Sequence, residues 1–375
     1  MNTLIELFDE HSIRNILSTE VFKPKNLIYL CGKDIVEDNK RQDNIRNFLK
    51  GRGLSVNIVF WESSKYRVDD IVCQLNKILD KYEDCAIDIS GGTDDMLFAA
   101  GQVSVKRDVS VFTYSRRLNF FYNVSNADFA ENVKCEIKYS IDDFIKISGG
   151  KADTGRISLD SLNSHIGYIE DLFDIFLKYK RSWSNITSWI AQATKSSDLS
   201  CKNVSLFQKC LNGRKVSCPE NALKDLQKAG LINNLRLDGT VSFDFPDDQI
   251  RFWLRDVGSA LEVFTYKKAF DSGYFDDLKC SAITEWSDVD ENGSVYNEID
   301  LVAVKDLTPY FISCKATKIN TYALNELVIL RDRFGGIGAK ACIISTEKCS
   351  VATRERASAL DITVYDIDDI KKYYR

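Results

Sequence analysis

The sequence YNEIDLVAV at 296–304, followed by PYFISCKA at 309–316, decides how the C-terminal part of this chain folds. Both runs have the apolar pattern of a β-strand, and turn-like residues separate them, so the pattern predicts a β-hairpin. One arm carries Asp300 and the other carries Lys315. Mg²⁺ and Mn²⁺ prefer carboxylate oxygens, and a lysine can bind a phosphate. The hairpin therefore indicates phosphodiester hydrolysis, and the alternative is a cross-strand ion pair on a solvated face.

A further acid, Glu262, lies upstream in the sequence GSALEVFTY at 258–266. Apolar residues at 260, 261, 263 and 264, with no proline, predict a helix here. A carboxylate between Leu261 and Val263 either faces solvent or points into a cleft, where it pairs with a cation. The chain therefore presents a helix acid, a strand acid and a strand lysine in that order.

This order resembles the PD-(D/E)xK nuclease superfamily. The resemblance implies a restriction-endonuclease-like domain in which Glu262 and Asp300 bind Mn²⁺ or Mg²⁺ and Lys315 is the motif lysine. Ser313 stands where the family usually has an acid, two residues before the lysine. Some members supply that acid from the following helix, so Glu326 is the candidate replacement as a catalytic residue and metal ligand. The alternative for Glu326 is a solvated helix position.

The N-terminal part of the chain alternates strand-like and helix-like runs. Strands are predicted at 26–31, 55–60, 85–89 and 109–114, with helices ending near 51 and spanning 68–82 and 94–106. This alternation predicts parallel strands joined by helical crossovers, which is a Rossmann-like α/β fold. Ligands of such sheets bind where the strands end at their carboxyl termini.

Two turns at such strand ends are candidate ligand sites. One contains Gly32 and Lys33, and the other is Ser90-Gly91-Gly92-Thr93-Asp94. Glycines allow a ligand to approach the backbone, and amides at a helix start attract phosphate oxygens. No G-x-G-x-x-G fingerprint occurs, so a dinucleotide cofactor lacks its usual support. The alternative for the second turn is an ordinary capped helix start.

The strand that leads into Ser90-Gly91-Gly92-Thr93 resembles the CARF (CRISPR-associated Rossmann fold) sensor domain. The resemblance implies a two-fold homodimer that binds a cyclic oligoadenylate, most readily cyclic tetra-adenylate, across its axis. The residues implied to contact this ligand are Gly32, Lys33, Ser90, Gly91, Gly92, Thr93 and Asp94.

These observations divide the chain into three segments. Residues 1–145 are the predicted CARF sensor, 146–250 a linker followed by a spacer, and 251–375 the predicted PD-(D/E)xK nuclease domain. Residues 125–160 have the composition of a linker. Predicted helices at 169–179 and 221–229, followed by a hairpin around Asp238-Gly239, outline a winged helix. The structural spacer is the favoured alternative, because Trp183, Trp189 and Trp253 are predicted to be core residues and not platforms for stacking bases.

The overall composition agrees with a cytoplasmic enzyme. The 375 residues are 44% hydrophobic, and no apolar run is long enough to span a bilayer. No signal peptide is recognised at the N-terminus. The 11 cysteines include no C-x-x-C pair, which favours reduced thiols. With 2 histidines in the chain, carboxylates and a metal ion are better suited to the chemistry than histidine, and a formal charge of −5 is not typical of a protein that coats nucleic acid.

The sequence thus predicts a cyclic-oligoadenylate-activated, metal-dependent endonuclease of type III CRISPR antiviral defence. Its predicted substrate is single-stranded DNA or RNA, with nicking of duplex DNA as a further activity. Two alternatives stay open. One is a ligand-controlled transcription regulator that binds nucleic acid without cutting it, and the other is an inactive nuclease fold that serves as an interaction module.

Overall fold

The computed structural model of the protein describes residues 1–10, 12–153, 159–194, 199–209, 215–285, 296–336 and 338–373. The chain forms two compact units. The first consists mainly of Met1–Ala152 with Asp332–Gly338, and the second of Asp153–Thr284, Tyr296–Arg331 and Ala339–Arg375. The division into a sensor, a spacer and a nuclease domain stays a prediction.

The first unit contains a parallel-rich sheet with helices on its crossovers. Its strands are β1 (Thr3–Leu7), β2 (Asn26–Cys31), β3 (Asn57–Glu62), β4 (Cys85–Asp88), β5 (Ser110–Ser115), β6 (Phe120–Ser125) and β7 (Val133–Lys134). Its helices are α1 (Leu17–Phe22), α2 (Lys33–Val36), α3 (Asn39–Gly51), α4 (Val68–Lys81), α5 (Asp94–Arg107) and α6 (Ile141–Ile147). The strand order is β3-β2-β1-β4-β5-β6-β7. The first five strands of this order pair in parallel, while β6 and β7 are antiparallel.

The predicted mixed α/β architecture is confirmed for this unit. All the strands and helices predicted between 26 and 114 are present, with bounds shifted by at most two residues. The strand β1 was missed. It lies between β2 and β4, and its five residues are all buried. Glu6 interrupts its apolar run, which hides the strand from a pattern based on hydrophobicity.

The predicted linker at 125–160 is wrong for the part that the structure describes up to residue 147. That part contains β7 and α6, and α6 begins with a capping box between Ser140 and Asp143. The Tyr139 hydroxyl donates a hydrogen bond of 2.8 Å to the buried Glu20 carboxylate, which also pairs with Arg52 at 2.9 Å. These contacts hold the segment inside the first unit. Residues 154–158 lie outside the described residues.

The middle segment is helical with a small sheet. Its strands are β8 (Lys151–Asp153), β9 (Ser200–Ser205), β10 (Phe207–Lys209), β11 (Lys215–Ser217), β12 (Asn233–Leu237) and β13 (Thr240–Asp244). Its helices are α7 (Leu159–Ser164), α8 (Ile166–Lys178), α9 (Trp183–Ala193), α10 (Glu220–Lys228) and α11 (Asp248–Arg255). The strands β12, β13 and β9 pair antiparallel, and the predicted hairpin turns at Gly239, whose φ is +73°. This arrangement retains the winged-helix outline.

The C-terminal segment forms the larger sheet of the second unit. Its elements are α12 (Ser259–Asp271), β14 (Asp277–Glu285), β15 (Tyr296–Lys305), β16 (Thr308–Lys315), α13 (Thr321–Gly335), β17 (Lys340–Ser345), α14 (Val351–Ala359), β18 (Ile362–Tyr365) and α15 (Ile367–Tyr373). The strands of this segment have the order β18-β17-β16-β15-β14 in their sheet. The predicted hairpin is confirmed, because β15 and β16 pair antiparallel across a tight turn at Asp306 and Leu307. The strand β14 was not predicted.

A continuous hydrophobic core explains why the middle and C-terminal segments form one unit. Trp183, Trp189 and Trp253 are buried in the same cluster as Leu261 of α12 and Leu301 of β15. Large aromatic side chains dominate the energetics of such cores. The tryptophans are therefore core residues, as the sequence predicted. Within the described ranges, no helix combines the length and apolar character needed to cross a membrane.

Candidate functional site

Asp300 and Lys315 lie side by side on the β15–β16 hairpin. Leu301 pairs with Ile312, which places Asp300 and Ser313 one position further along. The Asp300 Oδ2 atom accepts hydrogen bonds from the Cys314 amide at 2.6 Å and from the Ser313 hydroxyl at 3.1 Å. The Lys315 Nζ atom is 3.8 Å from the same oxygen. The hairpin therefore brings a fixed carboxylate and an amine together, as predicted.

Glu262 joins this pair from helix α12. The pKa of the Glu262 carboxyl is raised to about 8, first by burial and then by the negative charges of Asp300, Asp256 and Glu298, with Lys315 acting in the opposite direction. These influences require that the carboxylate lies within electrostatic reach of both hairpin residues. Glu262 therefore lies close enough to Asp300 and Lys315 for their charges to act on it, and these residues with Asp256 and Glu298 form an electrostatically coupled acid cluster.

The start of α12 determines where the Glu262 carboxylate lies. Asp256 accepts hydrogen bonds of 2.9 Å from the amides of Gly258 and Ser259, which fixes the first turn of the helix. A Cβ atom at Gly258 would come within 2.5 Å of Glu262 Oε1 and 3.4 Å of Asp256 Oδ2. The carboxylate thus packs over a position that has no side chain, next to a second acid.

Sequence reasoning missed Asp256 and Glu298 as members of this acid cluster. Glu298 is exposed and lies two residues before Asp300 on β15, so the two side chains share one face of the strand. Asp256 precedes the helix in the pattern D-x-G-S, which is a capping signal that the sequence offered. The two-residue periodicity of a strand is the sequence signal for Glu298, and the capping pattern is the signal for Asp256.

Glu326 is the predicted site residue that is not seen to join the cluster. It lies half-buried on α13, and the charges that shift the Glu262 pKa are those of Asp300, Asp256, Glu298 and Lys315. Ser313 does not supply the missing negative charge, because its hydroxyl donates to Asp300. The role of Glu326 as a replacement ligand stays a prediction.

The acid cluster offers the carboxylate oxygens that divalent cations prefer, without a preformed metal site in the part of the chain that the structure describes. Among the residues with described positions, no group of three or more His, Cys, Asp or Glu side chains is arranged to hold a metal ion. Mg²⁺ commonly uses only one or two carboxylates and completes its shell with water and substrate phosphates. A half-buried carboxylate with a pKa of about 8, within reach of the charges of further acids, is an arrangement that a cation would neutralise. Glu262 and Asp300 are the side chains that could hold it.

In the first unit, hydrogen bonds fix the turn Ser90-Gly91-Gly92-Thr93. The Ser90 amide donates to Asp88 Oδ1 at 2.7 Å, and the Ser90 Oγ atom accepts from the Tyr114 amide at 2.7 Å. The Thr93 side chain caps α5 and donates to the Lys65 carbonyl at 2.8 Å. Asp94, the first residue of α5, is exposed. The turn is therefore rigid, and its helix start faces the carboxyl edge of the sheet.

The two glycines of this turn allow it to pack against the end of β1. Gly92 has a φ of +90°, and a Cβ atom there would lie 2.7 Å from the Leu7 Cβ atom. A Cβ atom at Gly91 would lie 2.9 Å from the Asp9 Cβ atom. Close packing against Leu7 and Asp9 leaves no room for a side chain at either glycine, and this holds whether or not a ligand is bound.

Gly92→Ala is expected to lower the free energy of unfolding by about 1–3 kcal/mol, because it combines a left-handed φ with a close contact. Gly101→Ala is the matched control. Gly101 lies inside α5 with no atom within 4 Å of a Cβ there, so alanine is expected to stabilise the protein by about 0.5–1 kcal/mol. Urea denaturation of both variants measures the difference. Equal stabilities would contradict the close packing of Gly92 on Leu7.

A pocket of about 610 Å³ lies beside the other predicted turn. Gly32 and Lys33 line it, together with Lys65 and Tyr66, which follow β3. Lys65 pairs with Asp34 at 2.7 Å, and its carbonyl accepts the Thr93 hydrogen bond. Lys65 consequently links the two turns that the sequence proposed as one site.

The order of the strands indicates that the segment after β1 also lies at the candidate ligand site. Crossovers run from β1 to β2 and β3 on one side and from β4 to β5 on the other, so the topological switch point lies between β1 and β4. Ligands of open α/β sheets bind outside the carboxyl ends of the strands at such a point. Asp9 follows β1 there, beside Gly91. The sequence missed this segment because it missed β1.

Comparison with known proteins shows which fold this chain shares. No family model matches the chain, and no curated protein matches it. The crystal structure of VC1899 from Vibrio cholerae is similar over 99% of this chain and 95% of its own, with a TM-score of 0.74 and 16% identity. Can2 from Sulfobacillus thermosulfidooxidans, in complex with cyclic tetra-adenylate, is similar over 100% of both chains, with a TM-score of 0.71 and 18% identity. The chain therefore shares the fold of these two proteins along almost its whole length.

Proposed function

We propose that this protein is a nuclease of type III CRISPR defence that a cyclic oligoadenylate activates. The observation that carries the proposal is the convergence of Glu262, Asp300 and Lys315 in the second unit. Acids next to a lysine suit the hydrolysis of a charged phosphodiester better than they suit passive binding, since acids repel phosphates. The full-length similarity in fold to Can2, which is bound to cyclic tetra-adenylate, supports the activator.

In this proposal the chain's own residues orient and neutralise the scissile phosphate. Lys315 places its ammonium group beside a phosphate oxygen, and Asp300 holds that group in position from 3.8 Å. The Cys314 amide fixes the Asp300 carboxylate, so the positive charge is positioned before the substrate arrives. Mn²⁺ or Mg²⁺ held by Glu262 and Asp300, with Glu326 as the third candidate ligand, would supply Lewis-acid activation of water.

The proposed activator site is the carboxyl edge of the first-unit sheet. It comprises the turn from Ser90 to Asp94 and the turn at Gly32 and Lys33, which Lys65 connects. We propose a homodimer, because a symmetric ring ligand matches two identical patches related by a two-fold axis. Activation then requires the ligand to bind one conformation of the dimer more tightly than another.

The decisive experiment incubates the protein with labelled single-stranded DNA, single-stranded RNA and duplex DNA. Each substrate is tested with Mn²⁺ or with a chelator, and with or without cyclic tri-, tetra- or hexa-adenylate. The expected result is cleavage of single strands only when both a cyclic oligoadenylate and the metal are present, and its loss on chelation. Ligand-dependent retention of a duplex without cleavage would instead support the transcription regulator, for which the antiparallel sheet of β12, β13 and β9 offers the winged-helix outline.

A further inference from the structure

Two carboxylic acids are buried next to each other in the centre of the first-unit sheet. Glu6 of β1 and Asp88 of β4 are register partners on neighbouring strands, and they are 2% and 0% exposed. Placing ionised groups in such a position is costly unless they are paired or hydrogen-bonded. Oε1 of Glu6 is buried and has no hydrogen-bond partner. The proposed chemistry of the protein does not use either acid.

Burial raises the pKa of the Asp88 carboxyl as well, but the hydrogen bonds that it accepts from Ser18 and Ser90 act in the opposite direction and make it the better candidate for the ionised member of the pair. Its carboxylate accepts from the Ser18 hydroxyl, from the Ser90 hydroxyl and, at 2.7 Å, from the Ser90 amide. A carboxylate that receives several donors is an acceptor only, so a hydrogen bond between the two acids needs a proton on Glu6. Burial, the charge of Asp88 and that hydrogen bond all raise the pKa of Glu6 well above its ordinary value. Tyr29, which faces Glu6 from β2, is a buried neutral phenol.

Asp88 connects this acid pair to the turn at Ser90. The Ser90 side chain is held at both ends, because its hydroxyl donates to Asp88 and accepts from the Tyr114 amide of β5. Gly91 and Gly92 directly follow Ser90, so the position of their backbone depends on the direction of the chain at Ser90. Removing the Asp88 carboxylate would release two donors of Ser90 at once.

We propose that Glu6 and Asp88 share a proton and together position the Ser90–Thr93 turn for binding the cyclic oligoadenylate. This inference rests on the proposed function for the identity of the ligand. Both acids are positioning residues, since they act through Ser90 and lie beneath the surface. The arrangement predicts that a neutral donor is sufficient at position 6, whereas position 88 requires an anion.

The test compares Glu6→Gln, Glu6→Met and Asp88→Asn. Calorimetry measures the affinity for cyclic tetra-adenylate per folded molecule, and hydrogen exchange measures protection of the Ser90 and Tyr114 amides. Glu6→Gln keeps a donor toward Asp88, so its affinity is expected to stay within threefold of the wild type. Glu6→Met and Asp88→Asn are expected to lose at least tenfold in affinity and to exchange both amides faster, because asparagine has a single acceptor oxygen where Asp88 uses two for the donors of Ser18 and Ser90.

Glu20→Gln is the matched control, because Glu20 is also a buried acid of this unit but is paired with Arg52 and Tyr139. It is expected to change stability without changing affinity or the exchange of Ser90. If Asp88→Asn does not fold, the comparison of Glu6→Gln with Glu6→Met still tests proton sharing. Ser90→Ala then tests whether the Ser90 side chain positions the turn. Equal behaviour of those two Glu6 variants would overturn proton sharing, and unchanged Tyr114 protection in Ser90→Ala would overturn the positioning. A wild type that binds no cyclic oligoadenylate would refute the proposed activator, while the exchange measurements still test the acid pair.

Discussion

Asp300→Asn is expected to reduce cleavage of single-stranded substrates by on the order of 10²–10³-fold while the protein remains folded. Each 1.36 kcal/mol of lost transition-state stabilisation costs about tenfold in rate, and electrostatic groups at such sites contribute several kcal/mol. The asparagine oxygen can still accept the hydrogen bond from the Cys314 amide, so the hairpin is retained. The negative charge next to Lys315 is lost, and with it a ligand for the cation.

Asp306→Asn is the control for a general effect of removing a carboxylate from this hairpin. Asp306 lies at the exposed tip between β15 and β16, where its carboxylate is 3.8 Å from the Lys305 ammonium group. The cleavage activity of the Asp306→Asn variant is expected to stay within about twofold of the wild type, as for most surface substitutions. Initial cleavage rates with saturating activator and Mn²⁺, together with circular dichroism, compare the two variants. More than a tenth of wild-type activity in folded Asp300→Asn would contradict the proposed site.

The part of the site that the sequence predicted depends on local patterns. The alternation around Asp300 and Lys315 specified a hairpin, and antiparallel pairing then leaves little freedom in where the two side chains lie. The apolar pattern around Glu262 specified a helix in the same way. The prediction that this helix and the hairpin form one site came from the resemblance to the PD-(D/E)xK superfamily. Hydrophobic periodicity does not indicate which elements pack together.

The features that the sequence did not reveal depend on contacts between distant residues. Glu6 makes β1 look too polar for a central strand, and its burial becomes understandable only beside Asp88, which is far along the chain. The segment around Tyr139 has a linker-like composition, yet its hydroxyl finds Glu20 in α1. In both cases the residue that a buried polar group faces lies far along the chain, and single-sequence patterns contain no information about that partner.

Glu262→Gln is expected to abolish the pH dependence of stability that the Glu262 carboxyl imposes on the metal-free protein. The pKa of Glu262 is raised from 4.5 to about 8, so the folded state keeps a proton that the unfolded state releases. The associated stability is fully present below pH 4.5 and is lost as the pH rises through 8. Glutamine is neutral throughout, so the variant is expected to be more stable than the wild type at pH 9 by on the order of 3–5 kcal/mol.

Urea denaturation between pH 5 and 9 in the presence of a chelator measures this difference, and Glu170→Gln is the control of opposite sign. The pKa of Glu170 is lowered by its hydrogen bond with Lys268, so its charge stabilises the fold at high pH and the Glu170→Gln variant should gain no stability there.

Adding Mn²⁺ at pH 8 is expected to stabilise the wild type, because a ligand that binds only the folded state raises its stability. The same addition should have little effect on Glu262→Gln, which lacks one of the two carboxylates. If the wild type and the variant show parallel pH profiles, Glu262 is not held among acids, and the chain has no cluster that a cation would need to neutralise.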